Sequence, residues 1–136
     1  MSGQPLTIFQ VAGRAMSAQL TRMNTSASNL ANVGGTTSSA DTAYRTIKPV
    51  FRTSFDAASG LSTVDVQQIV QAGEQPTKRY DPNNPIADKD GNVWDAAVDE
   101  TRELVDMMET SRTYQNNVEV MNTAKQLTID TIKMGR

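Results

Sequence analysis

The sequence predicts a mainly α protein with a small β-rich insert, its long N- and C-terminal helices paired as an antiparallel coiled hairpin. Three observations carry this reading. Apolar residues recur at steps of three and four over residues 5–33. The same spacing returns over residues 97–133. Between them lie β-branched and aromatic residues broken by Pro, Gly and Asn. At 136 residues the chain has room for one ordinary domain. The expected division is residues 1–35 for the first helix, 36–96 for the central region and 97–136 for the second helix.

The first helix is read from Phe9, Ala12, Met16, Leu20, Met23, Ala27 and Leu30, which fall on one stripe. Pro5 is tolerated in a first turn, and Gly34-Gly35 supply the left-handed residue that ends many helices. Half of the stripe is Ala or Met. Ser17, Thr21, Asn24, Thr25, Ser26, Ser28 and Asn29 lie between, several of them poor helix formers. Such a helix is marginal alone.

The central region opens with Thr36 to Asp41, a polar stretch read as a loop. Arg45 to Phe55 reads as extended or edge strand, interrupted by Pro49. Val64, Val66, Gln68 and Ile69-Val70 give a partly alternating strand after Ser59-Gly60. Lys78 to Pro85 reads as a turn region, and Asp90-Gly91 before Asn92-Val93-Trp94 is a hairpin signal. Tyr44, Phe51, Phe55, Tyr80 and Trp94 are five of the seven aromatics. Their clustering predicts that the one compact core, a small one, is here.

The second helix carries Leu104, Met108, Ser111, Tyr114, Val118, Met121 and Ala124 on one stripe. Val120, Ala124, Leu127, Thr131 and Met134 form an adjacent one. Asp99, Glu100 and Glu103 stand in the first turns and Lys133 and Arg136 in the last, matching the helix dipole. Two paired helices bury one seam. The second stripe is then left exposed, as partner surfaces are. The fold reads as incomplete without neighbours.

Composition narrows the function. The net charge of −2 makes no electrostatic case for nucleic acid or an anionic membrane. There is no cysteine and no histidine, which removes disulfides, thiolate chemistry, the commonest general base and the commonest metal ligand. No apolar run reaches bilayer length, and the first thirty residues lack the continuous apolar core of a cleaved signal.

Asp88-Lys89-Asp90-Gly91-Asn92 has the wrong spacing for a calcium loop, with Gly91 fourth rather than sixth, and reads as a turn. Asp99, Glu100, Glu103, Asp106 and Glu109 are interleaved with Arg102 and Arg112 and read as a solvated helix face. Asn24-Thr25-Ser26 is a chance sequon within a helix. No catalytic, cofactor-binding or metal residue is assigned. The asparagines Asn24, Asn29, Asn32, Asn116, Asn117 and Asn122 are either exposed or make register-fixing amide bonds between helices.

Ser26-Ala27-Ser28-Asn29-Leu30-Ala31-Asn32-Val33 resembles the N-terminal signature of the bacterial flagellar rod and hook proteins. Val118-Glu119-Val120-Met121-Asn122-Thr123-Ala124-Lys125 resembles that family's C-terminal helix. Ser38 to Asp41 with Tyr44-Arg45, Lys48 to Phe51, and Arg79 to Asp88 before Gly91-Asn92-Val93 resemble its short proximal-rod branch. Asn84 departs from that branch, where His often precedes the Pro, and Gly34 to Thr37 departs from the spacing of hook-type members.

The resemblance implies a structural subunit of the periplasm-crossing rod that assembles helically with itself and other rod proteins. It also implies delivery by the flagellar type III export apparatus without a cleaved signal peptide. No cofactor, nucleic acid, small-molecule substrate or membrane insertion is expected. The implied assembly interface is Phe9, Met16, Leu20, Met23, Ala27, Asn29, Leu30, Asn32, Leu104, Met108, Val118, Met121, Asn122 and Ala124. The alternative is a helical adaptor or chaperone-like dimer, which would form a discrete dimer in dilute solution. A small enzyme is disfavoured by the missing His and Cys.

Overall fold

The structure is a computed structural model that describes residues 6–135. Pro5 and Arg136 therefore lie outside the described residues. Helix α1 spans Ile8–Ala31 and helix α2 spans Glu100–Met134. Between them come β1 (Thr36–Thr37), β2 (Ile47–Asp56), β3 (Leu61–Gln71), β4 (Thr77–Tyr80) and β5 (Asn92–Asp95).

Helix α1 begins at a capping box that the spacing argument passed over. The Thr7 hydroxyl accepts the Gln10 N–H, and the Gln10 side chain accepts the Thr7 N–H. The helix stops at Asn32, and Gly34 takes φ +72°, the left-handed value a side chain resists. Helix α2 is capped by Asp99, whose carboxylate accepts the Arg102 N–H. Sequence had placed Asp99 inside the first turn.

The expected class, mainly α with a small β insert, is corrected: the described residues are 45% helix and 25% strand, with two separate antiparallel sheets. The strand content was underestimated because the short polar segments β1 and β4 read as loop and turn, and because the expected extended segments, now β2 and β3, are interrupted in β2 by Pro49. They nevertheless pair from Ile47↔Gln71 to Asp56↔Leu61, with one register shift at Val50/Phe51. A two-stranded ribbon leaves one edge of each strand open, where a residue without an N–H can sit. The turn is set by Asp56, whose Oδ2 accepts both the N–H and the hydroxyl of Ser59, and by Gly60 at φ +69°.

The other sheet has the order β1-β5-β4. Thr36 and Thr37, read as loop, pair with Asp95 and Trp94. Lys78 to Tyr80, read as turn, pair with β5 as well. The hairpin at Asp90-Gly91 forms with a longer connection than two residues, since Tyr80 pairs with Asn92.

The two helices lie side by side and run in opposite directions. Arg22 reaches Asp106 at 3.7 Å and Glu109 at 3.9 Å. Three and four residues later, Thr25 and Ser26 border the same cleft as Glu103 and Asp106. Advancing along α1 thus means retreating along α2. With 35 residues against 24, α2 continues past the start of α1.

The expected aromatic core is not there. Phe55 is 69% exposed, and Phe51 and Tyr80 are exposed too. Among the described residues, the buried apolar side chains of the core are Ala12, Ala18, Ala43 and Val93. Thr25, Ser26, Asn29, Thr46, Thr63, Glu103 and Thr110 are buried with them. Small and polar side chains therefore fill the interior, and hydrogen bonds carry much of its cohesion.

Candidate functional site

The end of α1 is joined to the start of β2 through one side chain. Asn29 Nδ2 donates to the Ile47 carbonyl at 2.9 Å, and Asn29 Oδ1 accepts the Ile47 N–H at 3.0 Å. The amide thus stands in for a neighbouring strand at the open edge of β2. Tyr44 Oη donates to the same Oδ1 at 2.8 Å. A phenol has one proton, so the 3.1 Å contact between Ser28 Oγ and Tyr44 Oη is donated by Ser28. Asn32 Nδ2 donates to the Ser28 carbonyl at 2.8 Å, serving one of the helix-end carbonyls.

The second sheet attaches at the same joint. Gly35 and Tyr44 carbonyls accept the N–H groups of Ala96 and Ala97 at 2.8 and 3.0 Å. Thr46 Oγ1 donates to the Ala97 carbonyl at 2.7 Å, and the Thr46 carbonyl accepts from Ala72 at 2.8 Å. Arg14 pairs with Asp65 of β3 at 3.2 Å across an exposed gap. Residues 26–47 and 96–97 therefore fix how the β ribbon leaves the helices.

The start of α2 packs here as well, and it corrects the reading of a solvated acidic face. Glu103 is 3% exposed, and Asp106 is half-buried beside Arg22. Periodicity put Leu104 and Met108 on the inward stripe instead. Both are exposed, and it is Glu103, Asp106, Met107 and Thr110 that face inward. The stripe shifts because α2 meets α1 through small and polar residues over its first turns. Farther along, Ser111, Tyr114, Val118, Met121 and Ala124 are half-buried as that stripe requires.

The remaining sequence-derived interface residues divide in the same way. Phe9, Leu20 and Ala27 are exposed on α1, while Met16, Met23, Leu30 and Asn32 are half-buried. Asn29 is enclosed at 1% exposure and spends its amide within the subunit. Asn122 is exposed. Sequence reasoning missed Arg22 and Glu103. The clue for Glu103 was its position four residues after the Asp99 cap, turned toward α1.

Apolar surface is abundant outside. Leu104, Val105, Met108, Val120, Leu127, Ile132 and Met134 are all exposed along α2. Leu104, Met107 and Met108 line a shallow depression with Ser111, Arg112 and Gln115. No described helix is long and apolar enough to cross a membrane. No cluster of three acidic groups placed to hold a metal occurs among the described residues. Asp88, the first of the two acidic residues in the calcium-like stretch, instead accepts the N–H groups of Asp90 and Asn92 at 2.9 and 2.8 Å. The arrangement suits packing against other protein surfaces.

Comparison with known proteins matches residues 9–37 to the flagella basal body rod protein family. Residues 89–134 match the C-terminal family of the flagellar basal body rod FlgEFG proteins. The flagellar basal-body rod protein FlgC of Salmonella typhimurium is 40% identical over 133 residues, 96% of this chain and 98% of that protein. FlgC of Yersinia enterocolitica is 40% identical over 131 residues, with the same coverage of both chains. FlgC of Buchnera aphidicola from Acyrthosiphon pisum is 36% identical over 132 residues, 96% of this chain and 97% of that protein. The α1–β1 signature, the β4–β5 loop and α2 all fall inside these matches, and the chain belongs to the FlgC family of flagellar basal-body rod proteins.

Proposed function

We propose that the chain is a structural subunit of the proximal part of the flagellar rod, packing helically with itself and with other rod proteins into the shaft that transmits rotation. The single observation that carries this reading is the apolar surface of α2, which a lone subunit leaves in water from Leu104 to Met134. Burying it against neighbours recovers about 25 cal/mol for each Å² removed from water. An interior built of Ala, Ser, Thr and Asn supplies little of that within the subunit.

The exposed members of the interface, Phe9, Leu20, Ala27, Leu104, Met108 and Asn122, meet neighbouring helices directly. Met16, Met23, Leu30, Asn32, Val118, Met121 and Ala124 hold α1 and α2 at the angle the assembly needs. Asn29 sets the departure of the ribbon from the helices. Residues 1–35 and 97–136 act as the inner, axial part and residues 36–96 as the outer part. Delivery is through the flagellar export apparatus without a cleaved signal, and the assembled site is the rod where it crosses the periplasm.

The test is deletion of the gene and its complementation, followed by isolation of basal bodies. Loss of motility on deletion and recovery of the complementing chain in the rod fraction are expected. A chain found as a free dimer, with motility intact in its absence, would replace the rod reading with an adaptor.

A further inference from the structure

Toward its tip the β2–β3 ribbon inverts the usual arrangement of an antiparallel pair, in which the apolar face turns inward and the polar face meets water. Residues directly opposite each other share a face. Arg52↔Asp65 and Ser54↔Thr63 lie on the face toward α1, where Asp65 pairs with Arg14 and Thr63 is buried. Phe55↔Ser62, the next pair, points the other way, and Phe55 is 69% exposed. Tyr80 is as exposed, but water serves its hydroxyl, whereas the benzyl group of Phe55 offers water nothing. Phe55 stands one residue before the turn that Asp56 sets, and the Asp56 carboxylate reaches the backbone of Leu6 just ahead of α1.

A matching hollow lies on α2. Leu104, Met107, Met108, Ser111, Arg112 and Gln115 line about 430 Å³, ample for a benzyl group. Methionine sulfurs pack well against aromatic rings, and a guanidinium stacks on their faces. Arg112 forms no ion pair among the described residues, so its guanidinium is available for such a contact. Phe55 cannot fill this hollow within its own subunit. The hollow lies at the level where Arg22 meets Asp106 and Glu109, and Phe55 lies at the level of Leu6. Roughly 24 Å of helix rise from Leu6 to Arg22 separates the two levels.

We infer that Phe55 at the ribbon tip of one subunit seats in the Leu104–Gln115 hollow on α2 of a second copy of the chain. This rests on the rod assignment above and adds a ribbon contact to the α2 surface. Knob and hollow are different patches, far apart along the helical pair, so the contact is head-to-tail. A contact of that kind does not close into a two-fold dimer; it repeats into a ring or an open helix, as a rod requires.

The chain has no cysteine, so a disulfide can be placed where the two surfaces meet. The full chain carrying Phe55→Cys together with Met108→Cys is expressed in a strain whose own copy is deleted, and its isolated basal bodies are oxidised with copper phenanthroline. Disulfide-linked multimers of this chain are expected. Neither single variant, nor Arg52→Cys combined with Met108→Cys, should give them, since Arg52 lies on the ribbon face toward α1. A double variant that enters basal bodies and forms no multimer would overturn the inference, as would linkage to a different rod protein alone. Alanine variants decide the case independently of cysteine. Phe55→Ala and Met108→Ala should each melt like the parent and each lower recovery in basal bodies by at least about tenfold. The combined variant should lose no more than either alone, because both remove one contact. Multiplied losses, normal recovery of either single variant, or a lowered melting temperature that reveals a partner inside the subunit would each overturn the inference. Failure of the unaltered chain to copurify with basal bodies would instead count against the rod assignment.

Discussion

Asn29 and Ile47 are joined by two hydrogen bonds, the side-chain amide of one pairing with both backbone polar atoms of the other at 2.9 and 3.0 Å. This pairing couples the last turn of α1 to the first residue of β2. Asn29→Ala leaves the Ile47 N–H and carbonyl without partners in an enclosed site, at a cost of about 1–3 kcal/mol. Asn29→Asp keeps the acceptor, loses the donor and adds a charge. Both variants should melt lower than the parent, and hydrogen exchange at Ile47 and its neighbours in β2 should accelerate. Unchanged melting of Asn29→Ala would refute the role given to the amide.

Gly91 shows a second local constraint. Its φ is +78°, and a Cβ built there would stand 3.0 Å from Pro82 Cβ and 3.0 Å from Tyr80 Cε2. Gly91→Ala is therefore strained twice, by backbone conformation and by contact, and should cost roughly 1–3 kcal/mol. Gly34→Ala meets nothing within 4 Å and bears the conformational penalty alone. Thermal melting of the two variants should rank Gly91→Ala as the less stable.

Acid should loosen the loop that Gly91 closes. The Asp88 carboxyl is held below its ordinary value of 3.8, first because it accepts the Asn92 backbone N–H, and further by Asp90 and nearby Lys78. A carboxyl depressed in the folded state adds stability above its unfolded value, and that stability fades as pH falls through the folded value. Resonances of Asp90 and Asn92 should therefore hold their native shifts at neutral pH and drift below about pH 4. In Asp88→Ala the drift should vanish, with the loop already loosened at neutral pH.

Much of this architecture was legible, and the failures share a cause. Helical spacing located α1 and α2 to within three residues at each end because apolar period depends little on context. It misjudged which face of early α2 turns inward, because a stripe count weighs Leu104 and Met108 as core and Glu103 as surface. In this interior, small and polar residues allow the close approach, and the large apolar ones are left outside. The strands show the same dependence on apolar signal: β2 and β3 are legible from their β-branched and aromatic residues, whereas β1 and β4, two and four residues long and without apolar alternation, read as loop and turn. Asn29 was singled out as a position, but its partner lies 18 residues away and no local pattern encodes that distance.

The longest-range prediction separates folding from assembly on α2. Met121 is half-buried, whereas Leu127 is 62% exposed. A charge at Met121 must be desolvated in the subunit itself, so Met121→Asp should lower the melting temperature and also block incorporation. A charge at Leu127 stays in water in the free subunit, where surface changes usually fall within about 0.5 kcal/mol. Its cost arises only when a neighbour covers that face. Leu127→Asp should therefore melt like the parent, accumulate normally in cells, and be absent from isolated basal bodies, with motility lost. If Leu127→Asp cells swim normally, the exposed end of α2 is not an assembly surface. If the variant instead melts well below the parent, Leu127 is buried within the subunit and the surface assignment fails there.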